Sequence, residues 1–396
     1  MKNINISKLN ADVISKPRVL FHHGNGVGMG HQLKCLNLAL ALKKVVAEAE
    51  FLFISESKNQ ALIKNKGFSI IKSPVVHGLK DQARSKYVGL ISDVIISYKP
   101  NLYIQDYVPI KYTDNGAING HYFKHVCLPS TKKVLICTIY NESYLMYKFN
   151  EVGLENVDLI LLPYSINDFP EPEYSKEFRE FITCDPKILL SGAITRTCDE
   201  NEILSIKEKY KINDSDLTLL FAAGAGGNIK ALHSFEANTF FKMVSKACIA
   251  LSKIRQKNIK IIVVKGPYSE TREKFLNAKV VTFEENMPAL IKASSLAIFR
   301  PGYNMFNEVY FSKIPMIIVP STDSMEAQHV IAKKAVDLGI CEIAKMGDSK
   351  SLSNILIEIV KNKKILNNFR KNYLHVNEKS GNEVVIKAFI KLMKDK

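Results

Sequence analysis

Short apolar runs alternate with segments of helical periodicity along most of the chain. The runs at 18–22 (RVLFH) and 51–55 (FLFIS) are rich in branched and aromatic residues and too short for helices. Between them, Leu33, Leu36 and Leu40 recur at the spacing of one helix face. This alternation predicts parallel sheets covered by helices on both faces, the doubly wound α/β arrangement.

The alternation occurs twice, in two units of comparable size. Four prolines between 163 and 186 interrupt it, which is typical of an interdomain linker. The further runs that predict strands are 70–72, 102–105, 133–138, 157–162, 218–222, 260–265, 280–283, 296–300 and 316–320. The predicted organisation is a flexible tail (1–16), an N-terminal domain (17–165), a linker (166–190), a C-terminal domain (191–375) and a C-terminal helix (376–396).

The composition is that of a globular chain, but its charge is unusual. Against 39 Asp and Glu stand 55 Lys and Arg, a formal net charge of +16. Such an excess favours an anionic partner and leaves nucleic acid, an acidic membrane surface and a phosphorylated small molecule open. The excess is mostly lysine without interleaved aromatic residues, which disfavours nucleic acid.

Several other classes are disfavoured by what the sequence lacks. No run approaches the roughly 18 apolar residues of a membrane-spanning helix, and residues 1–16 have no apolar core of a signal peptide. We therefore expect a cytoplasmic protein. The seven cysteines are scattered and never in Cys-x-x-Cys spacing, so we expect reduced thiols. Neither a protein-held metal nor a cofactor is expected.

The first candidate site is the glycine cluster that ends in Gly28, Met29, Gly30 and His31, between a predicted strand and a predicted helix. Glycines let the backbone approach a ligand closely, and the free N–H groups of a helix start favour polar or anionic oxygen. The spacing differs from the dinucleotide fingerprint. A neutral imidazole here can accept a proton from a hydroxyl. The alternative is a helix-capping or core histidine.

A second glycine loop opens the second unit, again between a strand and a helix. Gly224, Gly226, Gly227 and Asn228 follow the apolar run 218–222. Their backbone and the helix dipole suit a diphosphate, although no Gly-Lys-Ser/Thr follows as in a Walker loop. The alternative is a tight structural turn.

The third candidate region lies where the predicted strand 296–300 ends. Gly302 turns the chain after Arg300, and Asn304 follows it. The Glu308 carboxylate can accept two hydroxyl hydrogen bonds, as a ribose diol would offer. Further on, the polar side chains of a second loop can bind sugar hydroxyls or be solvated loop residues. These are Asp323, Glu326 and Gln328.

The order of these elements resembles the GT-B glycosyltransferases, which have two doubly wound Rossmann-like domains facing across a cleft, and among them the MurG-like family 28. The resemblance covers residues 218–339 and, more weakly, 18–43. It implies a UDP-sugar donor, transfer without a metal, and inversion at the anomeric carbon. Ala327 and Gln328 replace the family's Gln-Gln pair, which leaves the donor sugar open.

The resemblance assigns roles to residues of the second unit. Gly224, Gly226 and Gly227 face the diphosphate. Arg300 and Gly302 shape a turn. The remaining assignments are Phe283, the backbone of Glu284 and Met287 at the nucleobase, Glu308 at the ribose, and Gln328 at the donor sugar. Asn228, Asn304 and Glu326 complete the predicted substrate-binding set.

In the first unit, Gly28, Gly30 and His31 match the family's glycine-rich loop with its histidine. His31 is the expected base, and Asp106 either orients it or is the base itself. The same segment also resembles the UDP-sugar hydrolase of pseudaminic acid synthesis, in which Arg occupies the position of Lys34. Hydrolysis, with water in place of the acceptor hydroxyl, is the alternative function. The expected partners are a nucleotide-sugar and an unidentified hydroxyl acceptor, with weak peripheral contact at the inner membrane face left open.

Overall fold

The structure, a computed structural model, forms two compact units. The residues it describes are 16–24, 29–57, 59–73, 81–106, 128–138, 141–225, 231–254, 258–321 and 328–395. The first unit holds the described residues within 16–24, 31–194 and 380–395, and the second holds residues 29 and 30 and the described residues within 195–379. The predicted tail lies outside the described residues up to position 15.

The first unit contains a seven-stranded sheet in the order β3-β2-β1-β4-β5-β6-β7, with every pairing parallel. The strands are β1 (Arg18–His23), β2 (Glu50–Ser55), β3 (Ser69–Lys72), β4 (Leu102–Asp106), β5 (Lys132–Ile136), β6 (Leu159–Leu162) and β7 (Ile188–Leu190). The helices between them are α1 (Gly30–Val45), α2 (Ala61–Lys64), α3 (Asp81–Tyr98), α4 (Glu142–Val152) and α5 (Lys176–Cys184).

The second unit contains a parallel six-stranded sheet in the order β10-β9-β8-β11-β12-β13. The strands are β8 (Leu217–Ala222), β9 (Ile259–Val264), β10 (Ala278–Val281), β11 (Leu296–Phe299), β12 (Met316–Ile318) and β13 (Cys341–Ile343). The helices are α6 (Glu200–Tyr210), α7 (Ala231–Ser252), α8 (Met287–Lys292), α9 (Tyr303–Ser312), α10 (Gln328–Asp337), α11 (Ser349–Lys361) and α12 (Lys363–Asn372).

Both faces of the second sheet are buried, which explains the unbroken apolar runs of its strands. Along β8, Leu219 and Phe221 belong to one hydrophobic core, whereas Leu220 and Ala222 belong to another. Successive side chains of a strand point to opposite faces, so the two cores lie on opposite sides of the sheet. The doubly wound prediction is confirmed in this unit.

The predicted linker at 166–190 is wrong, because that segment folds into the first unit. It contains a compact aromatic cluster in which Phe169, Tyr174 and Phe178 are buried. Ser175 caps α5, and its backbone N–H and hydroxyl donate to Glu142 on α4 at 2.6 and 2.7 Å. The segment ends in β7, which pairs with β6.

The predicted domain boundaries also move. The chain passes into the second unit between Ile194 and Thr195, whereas the prediction placed the boundary near 191. The last helix, α13 (Asn382–Lys394), belongs to the first unit. Gly381, just before α13, has no room for a side chain: an added Cβ would lie 2.4 Å from the Gly192 carbonyl oxygen. The terminal segment therefore packs on the first unit.

Each sheet has one point where the strand order reverses. In the first sheet this switch point lies between β1 and β4, and in the second between β8 and β11. Ligands of open α/β sheets bind beyond the carboxyl ends of the strands at such points. We therefore expect a ligand-binding site at or just beyond the carboxyl ends of these four strands. Within the part of the chain that is described, no helix is long and apolar enough to cross a membrane.

Candidate functional site

At the switch point of the first unit, two titratable side chains converge on one oxygen of a third. Asp106 is the last residue of β4, and its Oδ1 lies 3.1 Å from Nδ1 of His31 and 3.2 Å from Nζ of Lys34. His31 and Lys34 sit one turn apart near the start of α1, so both reach the same carboxylate. The predicted proximity of His31 and Asp106 is present.

Burial differs sharply within this group. The side chains of Asp106 and Lys34 are 0% and 1% exposed, whereas that of His31 is 28% exposed. Burial alone raises the pKa of the Asp106 carboxyl, but the Lys34 ammonium and the His31 ring outweigh it and hold that pKa below its ordinary value. Asp106 is thus an enclosed carboxylate, and His31 is the member of the group that solvent reaches.

Two histidines of β1 lie beside this group and face opposite sides of the sheet. His22 is held at 2.6 Å on each ring nitrogen, by the hydroxyls of Tyr103 and Tyr87. His23 is the register neighbour of Asp106, and both of its ring nitrogens lack a partner among the described residues. Burial lowers the pKa of each imidazole to about 3, so both rings are neutral near pH 7.

At the switch point of the second unit, Gly224 follows β8 with φ of +65°, in the left-handed region that favours glycine. The carbonyl of Ala225 accepts a hydrogen bond from the Tyr268 N–H at 3.0 Å. The predicted diphosphate residues Gly226, Gly227 and Asn228 lie outside the described residues. The same holds for Gly28 of the first loop and for Glu326.

Arg300 follows β11 and is anchored by a carboxylate that the sequence did not reveal. Its guanidinium contacts Glu236 of α7, and the second oxygen of Glu236 accepts from the hydroxyl of Ser321. The backbone N–H of Ser321 in turn donates to the side-chain carbonyl of Gln328 at 2.9 Å. Arg300 and Gln328, predicted separately, therefore belong to one hydrogen-bonded chain through Glu236.

Gly302 and Asn304 lie at the start of α9. Gly302 precedes the helix with φ of −70°, which any residue adopts, and apart from its chain neighbours no atom of the described residues lies within 4 Å of an added Cβ. The turn that was attributed to Gly302 therefore does not depend on glycine. Asn304 lies in the first turn of the helix, and Glu308 is buried one turn later.

Glu308 is paired with an arginine that sequence reasoning missed. Arg196 donates through Nε to Oε1 at 2.6 Å and through Nη2 to Oε2 at 3.1 Å, a bidentate pair. Its third contact is with the backbone carbonyl of Glu285, at 3.0 Å from Nη1. A carboxylate has about four acceptor positions, so Glu308 retains capacity for a ligand hydroxyl.

The loop that holds the predicted nucleobase residues is fixed to α6. The Glu284 carboxylate is buried and accepts from Tyr210 at 2.6 Å and from Lys209 at 2.7 Å. Burial alone raises the pKa of Glu284, but these hydrogen bonds hold it below its ordinary value. Phe283 beside it and Met287 are half-buried, and Phe283 lies past the end of β10 rather than in the strand that was predicted to include it.

The missed residues share one property, which is separation along the chain. Arg196 lies 112 residues from Glu308, and Tyr210 lies 74 residues from Glu284. Motif spacing carries no information about such contacts. One local feature of the sequence could have indicated Arg196, which is its position shortly after a strand. That strand was predicted to be part of a linker, so the feature was not used.

The two parallel sheets, with Asp106 at the end of β4 and further described site residues just after β8 and β11, define a doubly wound α/β protein. Solved structures with this architecture include MurG of Acinetobacter baumannii, with a TM-score of 0.57 at 14% identity over 95% of this chain and 100% of that one. Another is the UDP-GlcNAc 2-epimerase of Neisseria meningitidis bound to UDP-GlcNAc, at 0.58 and 12% over 94% and 100%. The chain has the GT-B fold.

The family comparison is more specific. Residues 234–385 match the glycosyltransferase family 28 C-terminal domain, so the chain resembles the MurG-like glycosyltransferases. The relatives are UDP-N-acetylglucosamine–N-acetylmuramyl-(pentapeptide) pyrophosphoryl-undecaprenol N-acetylglucosamine transferases. That of Chlamydia trachomatis is 30% identical over 93 residues, or 21% of this chain and 26% of its own length. That of Natranaerobius thermophilus is 21% identical over 81% of this chain and 84% of its own.

Proposed function

We propose that the protein is a glycosyltransferase that moves a sugar, an N-acetylhexosamine, from a UDP-sugar donor to the hydroxyl of an acceptor. The observation that carries this proposal is the family 28 C-terminal domain at residues 234–385, which includes the predicted nucleobase loop and Glu308. The names of the relatives, all N-acetylglucosamine transferases, support the choice of sugar. The position of these residues beyond the strand ends of the second sheet supports a donor site there.

His31 is proposed as the general base. It is the partly exposed member of the group around Asp106, and its Nδ1 is occupied by the carboxylate at 3.1 Å. With Nδ1–H donating to Asp106, the lone pair lies on Nε2 and can accept the acceptor's hydroxyl proton. The enclosure of Asp106 favours an orienting role over that of the base.

The chemical step is a displacement at the anomeric carbon. The acceptor oxygen forms a bond to that carbon while the bond to the diphosphate oxygen breaks, and the nucleoside diphosphate departs with the electron pair. A single displacement inverts the anomeric configuration. The glycine loop that begins at Gly224 and the following helix start are proposed to stabilise the departing charge without a metal ion.

Different residues of the second unit are proposed to bind different parts of the UDP-sugar. Phe283, the backbone of Glu284 and Met287 are assigned to the nucleobase. Glu308 is assigned to the ribose, with Arg196 holding its carboxylate in place at 2.6 and 3.1 Å. Gln328, whose carbonyl oxygen is fixed by the Ser321 N–H, is left with its amide N–H groups for the donor sugar.

Incubation of the whole protein with UDP-N-acetylglucosamine, with and without a panel of sugar and lipid-linked acceptors, tests the proposal. A transferase releases UDP only when a suitable acceptor is present. A hydrolase releases free sugar without one, although the comparisons give no support to that alternative. A 2-epimerase forms a new UDP-sugar and releases no UDP. Either of the last two outcomes contradicts transfer.

A weak peripheral contact with an acidic membrane surface is the second part of the proposal. It is supported by the net charge of +16. Sedimentation with liposomes tests it: binding to vesicles that contain anionic lipid and not to neutral vesicles is expected. Equal recovery in the supernatant with both kinds of vesicle would contradict it.

A further inference from the structure

Lys34 is a buried cation that the proposed reaction does not use directly. Its Nζ lies 3.2 Å from Asp106 Oδ1, the same oxygen that lies 3.1 Å from His31 Nδ1. The other oxygen, Oδ2, is buried and has no hydrogen-bond partner among the described residues. The Lys34 ammonium and the His31 ring therefore share one acceptor atom, although a second one is available on the same carboxylate.

The contact between Lys34 and Asp106 affects how readily Asp106 and His31 bind an additional proton. In an isolated carboxylate–imidazole pair, the uncompensated negative charge attracts an additional proton to the pair. Here the charge of Asp106 is already balanced by a cation that is 1% exposed. The pair of Asp106 and His31 therefore gains less from binding another proton than it would without Lys34.

An extra proton in the hydrogen bond between Asp106 and His31 would block the proposed base. If it lies on the ring, both nitrogens of His31 carry hydrogen and neither can accept. If it lies on Oδ1 of Asp106, the carboxylic acid donates to Nδ1, and the ring hydrogen then sits on Nε2. In both states Nε2 cannot take the acceptor's proton.

We propose that Lys34 is a positioning residue that keeps this extra proton off the Asp106–His31 pair and so leaves Nε2 of His31 unprotonated, as a general base requires. The role of Nε2 as a base rests on the proposed function. The effect of Lys34 on the number of protons that Asp106 and His31 bind does not. Lys34 lies one turn after His31 on α1, so its ammonium contacts the same Asp106 oxygen as the imidazole does.

The other titratable groups around the pair do not supply this cation. On β1, His22 and His23 are neutral near pH 7, because burial lowers the pKa of each to about 3. On α1, burial and the charge of Asp106 raise the pKa of the Cys35 thiol well above its ordinary value, so it is uncharged. Among the described groups that act on Asp106, Lys34 is thus the lysine that pairs with it, at 3.2 Å.

The test is an NMR titration of the His31 ring nitrogens in ¹⁵N-histidine-labelled protein, with signals assigned by their loss in His31→Gln. In Lys34→Met, a side chain of similar length without charge, we expect the midpoint of proton uptake to rise by about one to two pH units. Lys34→Arg restores the charge and should titrate near the wild-type midpoint. Lys44→Met removes an exposed charge from the same helix and should change nothing.

An unchanged midpoint in folded Lys34→Met overturns the inference. If that variant does not fold, Lys34→Gln, which keeps a hydrogen-bond donor for Asp106 but carries no charge, is titrated instead, and its midpoint should also rise. An unchanged midpoint in folded Lys34→Gln would likewise overturn the inference. The titration does not depend on transferase activity. Failure of the proposed function can therefore be distinguished from failure of this inference.

Discussion

The pair of Arg196 and Glu308 allows a quantitative prediction for Arg196→Met. The side chain of Glu308 is 3% exposed and that of Arg196 is 16% exposed, so the substitution leaves a buried carboxylate without its cation. Removing one partner of a buried pair costs about 3–5 kcal/mol, and the partial exposure of Arg196 places the expected loss near the lower end, about 3 kcal/mol.

The expected loss of thermal stability follows from the size of the unit. The second unit spans residues 195–379, and for domains of this size each kcal/mol corresponds to about 2–4 °C in Tm. Arg196→Met should therefore lower the Tm of this unit by about 6–12 °C in differential scanning calorimetry. Arg196→Met/Glu308→Gln removes the stranded charge and should recover most of the loss.

A matched control is available on the surface of the first unit. Arg179 contacts Glu171 at 3.0 Å, but the carboxylate of that pair is 61% exposed. Water compensates both partners when such a pair is broken, so Arg179→Met should change stability by no more than about 0.5 kcal/mol. Melting of Arg196→Met within about 2 °C of the wild type, or an equal loss of stability in both arginine variants, would show that burial of the Arg196–Glu308 pair does not have the expected effect.

Three further predictions concern the base, the ribose residue and the buried imidazoles. His31→Ala should lower turnover by about 10²- to 10⁴-fold while the Kd for UDP stays nearly constant, because a base acts on the chemical step. Glu308→Ala should weaken UDP binding by about tenfold or more in titration calorimetry, through loss of hydrogen bonds to a charged acceptor. His23 has a pKa near 3 when folded, against about 6.5 unfolded, so the unfolded state binds more protons between these values. Stability should fall as pH drops through this window, and His23→Leu should reduce that slope.

Each of these predictions has a contrary outcome. Full turnover in His31→Ala would remove the histidine from the proposed chemistry. An unchanged UDP dissociation constant in Glu308→Ala would end the ribose assignment. For His23→Leu, chemical denaturation at pH 7.5 and 5.5 is compared with the wild type: equal pH dependence in both proteins would show that this imidazole does not titrate on unfolding.

The sequence was informative where structure depends on local pattern. Apolar runs located β1, β2, β8 and β11 to within one or two residues, because a strand buried on both faces needs consecutive apolar side chains. It also placed His31 at a helix start and Asp106 at a strand end. Their contact at 3.1 Å follows from the adjacency of β1 and β4 in a doubly wound sheet.

Local sequence pattern gave the wrong prediction where a segment with the composition of a linker is packed into a domain, or where a helix packs on a distant part of the chain. The proline-rich segment before β7 has the composition of a linker, but Phe169 and Tyr174 bury their rings in the first unit. Similarly, α13 continues the chain after the second unit but packs on the first. Neither outcome is visible in a window of neighbouring residues, because the contacts that decide it come from distant parts of the chain.

The same limit applies to the residues that support the candidate site. Glu236, which joins Arg300 to Ser321, and Tyr210, which holds Glu284, act through hydrogen bonds across 64 to 85 residues of sequence. A sequence motif can predict the residue that binds a ligand. The residue that holds this side chain in position lies far away in sequence and is brought close only by the fold.

The proposed function requires the second unit to bind a uridine nucleotide. This binding can be measured by thermal unfolding of the whole protein with UDP, ADP, GDP, CDP and TDP at equal concentrations. A ligand at 100 times its Kd stabilises the folded state by about 2.7 kcal/mol, which is readily measured. We predict a clear rise in Tm with UDP that exceeds the rise with the other nucleotides and is lost in Glu308→Ala. No stabilisation by UDP, or equal stabilisation by all five nucleotides, would contradict the account.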